Sequence, residues 1–170
     1  MKKVTLFLLL VFGAAVLLNS CGKKMTEQEY YDQAKAYEQN EEFDKAAETY
    51  LTLYKRFPAG EHGDEALFRA AIIQDNALKK PEMAVETLRR LLRAFPKSEY
   101  VPQAQFMIGF IYANSIKNYD KAREEYQKFL KEFPDNELVS SVKWELQNMG
   151  KDINQLDFLA KSRADSAKAQ

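Results

Sequence analysis

Apolar positions recur along the chain at the spacing of amphipathic helices. Phe57-Pro58 returns as Phe95-Pro96 and as Phe133-Pro134, and the two intervals are equal. Five apolar positions precede each proline at intervals of i, i+4, i+7, i+8 and i+11, which places them on one stripe of an α-helix. The three stripes are Ala46, Tyr50, Leu53, Tyr54 and Phe57; Ala84, Leu88, Leu91, Leu92 and Phe95; and Ala122, Tyr126, Phe129, Leu130 and Phe133.

A further helix is predicted before each stripe, over residues 29–39, 64–77 and 102–114, with polar loops between the two. The residue before a proline is pushed toward extended geometry, so each phenylalanine should lie at a helix end. The pattern therefore predicts three helical hairpins, over about 27–60, 64–98 and 102–136. A constant period of this length is typical of helical repeat proteins.

One more helix is expected after the last hairpin, over residues 136–150, with Gly150 at its end. A stack of hairpins needs such an element to cover its last apolar seam. Apolar residues just beyond it could extend this cap, and residues 154–170 are expected to be partly disordered. The sequence thus predicts an all-α solenoid of three hairpins plus a capping helix. The possible extension consists of Ile153, Leu156, Phe158 and Leu159.

Composition narrows the classes of function. The chain has 25 Lys and Arg against 25 Asp and Glu, with no basic cluster, which argues against nucleic acid as a partner. The single cysteine excludes an internal disulfide and the usual multi-cysteine zinc site. No phosphate loop, catalytic motif or metal-ligand spacing occurs, so we expect no enzyme activity, cofactor, metal or small-molecule substrate. His62, the only histidine, is interpreted as a solvated loop residue.

The first residues have the anatomy of a signal peptide, with two lysines followed by an apolar run over 4–18. That run would rise roughly 22 Å as a helix, less than the roughly 30 Å of a hydrocarbon core. We therefore expect residues 1–20 to be cleaved. An uncleaved anchor and an ordinary secreted protein with a stray thiol stay open as alternatives.

The segment Leu18-Asn19-Ser20-Cys21 resembles the lipobox of bacterial lipoproteins. The resemblance implies that Cys21 becomes a lipidated N-terminus, followed by a tether to residue 26, with Thr26 as an N-cap. Several acyl chains on one residue would hold the protein on a membrane. Gly22 stands where some inner-membrane lipoproteins have aspartate, so the resemblance implies the periplasmic face of the outer membrane.

The hairpins resemble the tetratricopeptide repeat. The first copy has six residues at the family spacings, the third keeps Ile108-Gly109 with one extra residue in its turn, and the second is most divergent, with Gln74 in place of tyrosine. Long links after the Phe-Pro pairs make the chain similar to lipoproteins of outer-membrane protein assembly, the BamD type. The matching residues of the first copy are Tyr30, Ala34, Tyr37, Ala46, Tyr50 and Pro58.

The resemblance implies a concave surface lined by the first helices, which binds an extended peptide or a partner helix. A scaffold in outer-membrane protein assembly, with other envelope proteins as partners, is the function it implies. An adaptor that recruits cell-wall enzymes or coordinates envelope constriction is the alternative, while a solute-binding lipoprotein would need convergent polar groups that the sequence lacks. Phe68 and Phe106 could instead pack between neighbouring repeats. The implied groove residues are Tyr31, Lys35, Phe68, Ile72, Phe106 and Phe110.

Overall fold

The computed structural model describes residues 24–151, so the expected signal segment, Cys21 and the C-terminal tail lie outside the described range. Between residues 24 and 151 the chain forms α-helices and no strand, which confirms the predicted all-α solenoid. The helices are α1 Glu27–Gln39, α2 Phe43–Arg56, α3 Gly63–Asn76, α4 Pro81–Ala94, α5 Val101–Ile111, α6 Tyr119–Glu132 and α7 Val139–Asn148.

Each helix packs mainly against its neighbours in sequence. The hairpins α1–α2, α3–α4 and α5–α6 therefore lie side by side, and α7 covers α6. The buried side chains form three core clusters. The first comes mainly from α1–α3, the second from α3–α5, and the third from α5–α7 with the turn after α5. Leu51 contacts both the first and the second cluster, and Tyr112 contacts both the second and the third. A single hairpin could not bury its own apolar face, which is why the repeats stack.

The predicted stripes form the centre of these clusters. The first three positions of every stripe are completely buried, and the last two are half-buried. Burial of each large side chain at such a position contributes about 1.5–3 kcal/mol. Side chains at equivalent positions of the three repeats therefore have the same packing role. The completely buried residues are Ala46, Tyr50 and Leu53; Ala84, Leu88 and Leu91; and Ala122, Tyr126 and Phe129.

The Phe-Pro pairs end the second helix of each hairpin in the same conformation. Phe57, Phe95 and Phe133 have φ angles of −128°, −128° and −131°. Each phenylalanine donates its backbone N–H to the carbonyl four residues earlier. The following proline has no N–H to continue the helix, so the chain leaves the seam at this point.

The turns inside the hairpins also repeat. Glu41, Lys79 and Lys117 have positive φ angles of 59°, 55° and 62°, and they recur at the same interval as the Phe-Pro pairs. The third turn differs, because a π-helical segment, Tyr112–Ile116, follows α5. Because the π-type hydrogen bonds begin at Tyr112, the α-helical part of this element ends at Ile111.

The ends of the described range add two details. Thr26 caps α1 as expected, since its hydroxyl accepts from the Glu29 N–H and the Glu29 carboxylate accepts from the Thr26 N–H. The prediction that the capping helix covers 136–150 is wrong by a few residues, because α7 covers only Val139–Asn148. Asn136 holds the preceding turn by accepting from the Leu138 N–H, and Gly150 at φ +79° follows the helix end.

Candidate partner-binding site

The first helices of the hairpins share a face that contains a pocket of about 220 Å³, called here the first-helix pocket. Phe68 and Ile72 lie one turn apart on α3 and form its apolar wall. The ring of Tyr100, just before α5, lies 5.1 Å from the Phe68 ring, centroid to centroid. The pocket can therefore accept one apolar side chain against this aromatic pair. Its lining residues are Glu38, Glu65, Phe68, Arg69, Ile72 and Tyr100.

Arg69 connects the two carboxylates of this pocket. Its Nε donates to Glu65 Oε1 at 2.7 Å, and its Nη1 donates to both Glu38 oxygens at 3.5 Å. The other side of each carboxylate accepts a tyrosine hydroxyl, Tyr31 for Glu65 and Tyr50 for Glu38, both at 2.8 Å. The arrangement fixes three charged groups beside an apolar pocket, so their orientation is set before a partner arrives.

The same network shifts the acid–base properties of its members. Burial alone would raise the pKa of Glu65, but the hydrogen bonds from Arg69 and Tyr31 outweigh it and hold that pKa below its usual range. Burial and the bond to Glu65 raise the pKa of Tyr31 to about 12. At neutral pH the pocket therefore presents the Glu65 carboxylate beside the Arg69 guanidinium, both charged. The side chains of Arg69 and Glu38 are 37% and 31% exposed, which leaves them accessible to a partner.

Tyr31 and Lys35, the groove residues expected on α1, lie beside this pocket without lining it. Tyr31 is buried, and only the edge of its ring reaches the surface. Lys35 Nζ stands over that ring, 5.2 Å from its centroid. His62 lies in the loop as expected but is only partly solvated, because its imidazole stacks on Tyr31 with centroids 4.2 Å apart and Nε2 lies 3.1 Å from Gln28 Oε1. These contacts connect the end of the first link to α1.

Phe106 and Phe110, the groove residues expected on α5, form a second apolar patch of the same face. Their ring centroids are 6.1 Å apart. Phe106 is half-buried against the third core cluster and contacts the Tyr126 ring at 5.9 Å. Phe68 is half-buried against the second cluster in the same way. Phe68 therefore packs between the second and third hairpins, whereas the contact of Phe106 with Tyr126 lies within the third hairpin. Both rings are half-buried, and their role in a groove stays a prediction.

The sequence pattern correctly placed Phe68 and Ile72 on the same surface, but it did not identify the charged residues of the pocket. Glu65 and Arg69 are spaced i, i+4 on α3, which is a signal for an ion pair on one helix face. Glu38 could not be assigned, since its contact with Arg69 depends on how α1 packs against α3. Tyr100 lies in a link whose course the pattern does not specify.

Between residues 24 and 151 no group of three or more His, Cys, Asp or Glu side chains is arranged to hold a metal ion. No helix in this part of the chain is long and apolar enough to cross a membrane.

The stacked hairpins and the pocketed first-helix face define the class of the protein, an α-solenoid repeat protein. Two family models, both described as tetratricopeptide repeat, match residues 31–99 and 103–136 and together cover more than half of the chain. The chain therefore belongs to the tetratricopeptide-repeat proteins. A comparison with curated proteins found no significant match. Tetratricopeptide repeats bind peptides or proteins, so the partner class that this fold supports is protein.

Proposed function

We propose that this protein is a membrane-anchored scaffold on the periplasmic face of the outer membrane that binds another envelope protein through its first-helix face. The observation that carries the binding role is the first-helix pocket, where an open apolar cleft adjoins a fixed arginine and two carboxylates. The face is built for recognition of a protein segment rather than for catalysis.

Binding would use both parts of the pocket. An aromatic or long aliphatic side chain of the partner packs against the Phe68–Tyr100 pair and Ile72, where it loses contact with water. Polar groups of the same segment hydrogen-bond to the exposed edges of Arg69 and Glu38. Since the network holds these groups in place, little side-chain freedom is lost on binding, and more of the contact energy appears as affinity.

The membrane anchor is supported by the resemblance of residues 18–21 to a lipobox. Metabolic labelling of the full chain with a fatty-acid analogue tests it directly. The wild-type chain should incorporate the label and sediment with membranes, whereas Cys21→Ser should do neither. Label on the Cys21→Ser variant, or none on the wild type, would contradict the anchor while leaving the binding face untouched.

The role in outer-membrane protein assembly is supported by the long links that follow the Phe-Pro pairs, a feature shared with lipoproteins of that process. A pull-down with the fragment 25–170, which contains all three core clusters, tests it. Recovery of the outer-membrane insertion machinery by the wild type, and its loss with Phe68→Ser and Ile72→Ser, is the expected result.

A second candidate function is an adaptor that recruits cell-wall enzymes or coordinates envelope constriction. It is favoured by the small number of hairpins, three between residues 24 and 151. Recovery of cell-wall hydrolases alone in the same pull-down would establish this candidate and remove the first.

A further inference from the structure

A groove of about 660 Å³ runs along the opposite surface, between the second helices α2 and α4. We call it the second-helix groove. Its floor includes Ala47 and Leu51 on α2 and Leu78 in the turn after α3. Gln74 also reaches the groove, but its amide oxygen already accepts a hydrogen bond from the Thr87 hydroxyl at 2.8 Å. The floor is therefore essentially apolar.

Met83 stands at the edge of this groove with 52% of its surface exposed. Only two other large hydrophobic residues between residues 24 and 151 are exposed, and both are less so. Met83 and the adjoining floor give this surface a contiguous apolar patch, and patches of this kind in folded proteins usually mark an interaction site.

Charged side chains are segregated along the groove. Asp44 and Glu48 lie in the first half of α2, while Lys55 and Arg90 lie in the later parts of α2 and α4. Asp44 and Lys55 are eleven residues apart, about 16 Å along a helix. Within the described residues Glu48, Lys55 and Arg90 take part in no ion pair, and the acidic end is only partly offset by Lys80, whose Nζ lies 3.6 Å from Asp44 Oδ1.

We infer that the occupant of the second-helix groove is a second copy of this chain, related by a two-fold axis. A surface with an acidic end and a basic end is complementary to itself after half a turn, because each end then meets its opposite. The rotation places Asp44 and Glu48 of one copy against Lys55 and Arg90 of the other, twice. A partner of uniform charge would be repelled by one end of the groove.

The apolar part of the surface fits the same arrangement. Met83 is long and unbranched, which suits it to fill an irregular groove on the second copy above Leu51. Under the two-fold relation, Met83 of each copy enters the groove of the other copy. The first-helix pocket lies on the other helices of each hairpin, so dimerisation leaves it free, and this inference does not depend on the proposed function.

Charge exchange tests the two-fold contact. D44K/E48K makes the groove basic throughout, and K55E/R90E makes its basic end acidic, so that Lys80 is the one basic side chain left among the lining residues. Sedimentation equilibrium of the fragment 25–170 should give a mass of two chains for the wild type and one chain for each variant alone. An equimolar mixture of the variants should again give two chains, since both contacts are then paired.

A wild-type fragment that stays monomeric at about 100 µM, a concentration that detects dissociation constants well into the micromolar range, overturns the inference. So does a mixture that stays monomeric, or dimerisation that both variants retain. Circular dichroism verifies folding of each variant. If helix content falls, Glu48→Gln and Arg90→Gln replace the double changes. Each should weaken dimerisation about tenfold, because the two-fold axis removes two exposed ion pairs, each contributing about threefold.

Discussion

Gln105 Nε2 on α5 donates a hydrogen bond of 2.9 Å to Glu125 Oε2 on α6, and both side chains are buried. Arg89 Nη2 on α4 donates to the other oxygen of the same carboxylate at 2.5 Å. Three helices from two repeats thus meet at one buried carboxylate. Gln105 stands where the repeat pattern has an aromatic residue, so this departure replaces an apolar contact with a polar one.

The effects of removing the two members of this pair should be coupled. Gln105→Leu leaves Glu125 with a buried oxygen that lacks its donor, which should lower the free energy of unfolding by about 1–3 kcal/mol. Gln105→Leu with Glu125→Leu should lower it by less than the sum of the single changes, as measured by urea denaturation. Gln127→Leu, at an exposed position of α6, is the control and should change little. Additive single changes would show that the bond contributes nothing.

Tyr50 and Tyr126 occupy equivalent positions in the first and third repeats, so the effects of changing them can be compared directly. The Tyr50 hydroxyl donates to Glu38 at 2.8 Å, whereas the Tyr126 hydroxyl is buried and has no hydrogen-bond partner within residues 24–151. Tyr50→Phe should therefore lower the free energy of unfolding by about 1 kcal/mol. Tyr126→Phe removes an unpaired hydroxyl and should be neutral or stabilising. Equal effects in thermal and urea denaturation would contradict the assigned bonding.

The left-handed turn residues predict a stabilising substitution. Glu41 has φ 59°, a conformation that costs a residue with a Cβ atom roughly 1–2 kcal/mol, while glycine adopts it freely. Because glycine also gains freedom in the unfolded chain, the net gain for Glu41→Gly should be about 0.5–1 kcal/mol. Glu124→Gly, at an exposed helical position of α6, is the matched control and should lose about 1 kcal/mol. A loss at both positions in urea denaturation would refute the assigned turn.

The first-helix pocket predicts a pH-dependent contribution to stability. Burial works against ionisation of Glu65, but the bonds from Arg69 and Tyr31 hold its pKa below the ordinary 4.5. A lowered pKa means that the carboxylate stabilises the fold above about pH 4.5 and loses this contribution as the pH falls through the folded-state pKa. Wild type should exceed Glu65→Gln in unfolding free energy at pH 7, and the difference should shrink toward pH 3. Glu61→Gln, at an exposed position of the preceding link, is the control for loss of a carboxylate. A constant Glu65 difference would refute the shift.

The sequence predicted the parts of this fold that repeat. The stripes, the Phe-Pro ends and the turns recur at one constant interval, and a pattern that recurs three times strongly indicates a structural repeat. Local chemistry also predicted the Thr26 cap, because capping involves only residues three positions apart. The same periodicity indicated Phe68 and Ile72 correctly as neighbours on one helix face.

The remaining features depend on contacts between repeats. Gln74 and Gln105 counted only as departures from the pattern, although Thr87 and Glu125 pair with them across helices. Stacking of His62 on Tyr31 depends on the course of a link over α1, which no periodic signal describes. The π-helical turn after α5 left no signal in the periodic pattern. Each of these contacts joins elements whose relative position follows from packing rather than from local sequence.

The central claim is that the first-helix face binds a protein, and site-specific photo-crosslinking in cells tests it for any partner. A photoreactive residue replaces Ile72 or Tyr100 of the first-helix pocket in the full chain, or replaces Lys128, which is exposed on α6. Crosslinking to one and the same protein from positions 72 and 100, and none from 128, is the expected result. No adduct from either pocket position, or an equal adduct from position 128, would contradict the claim.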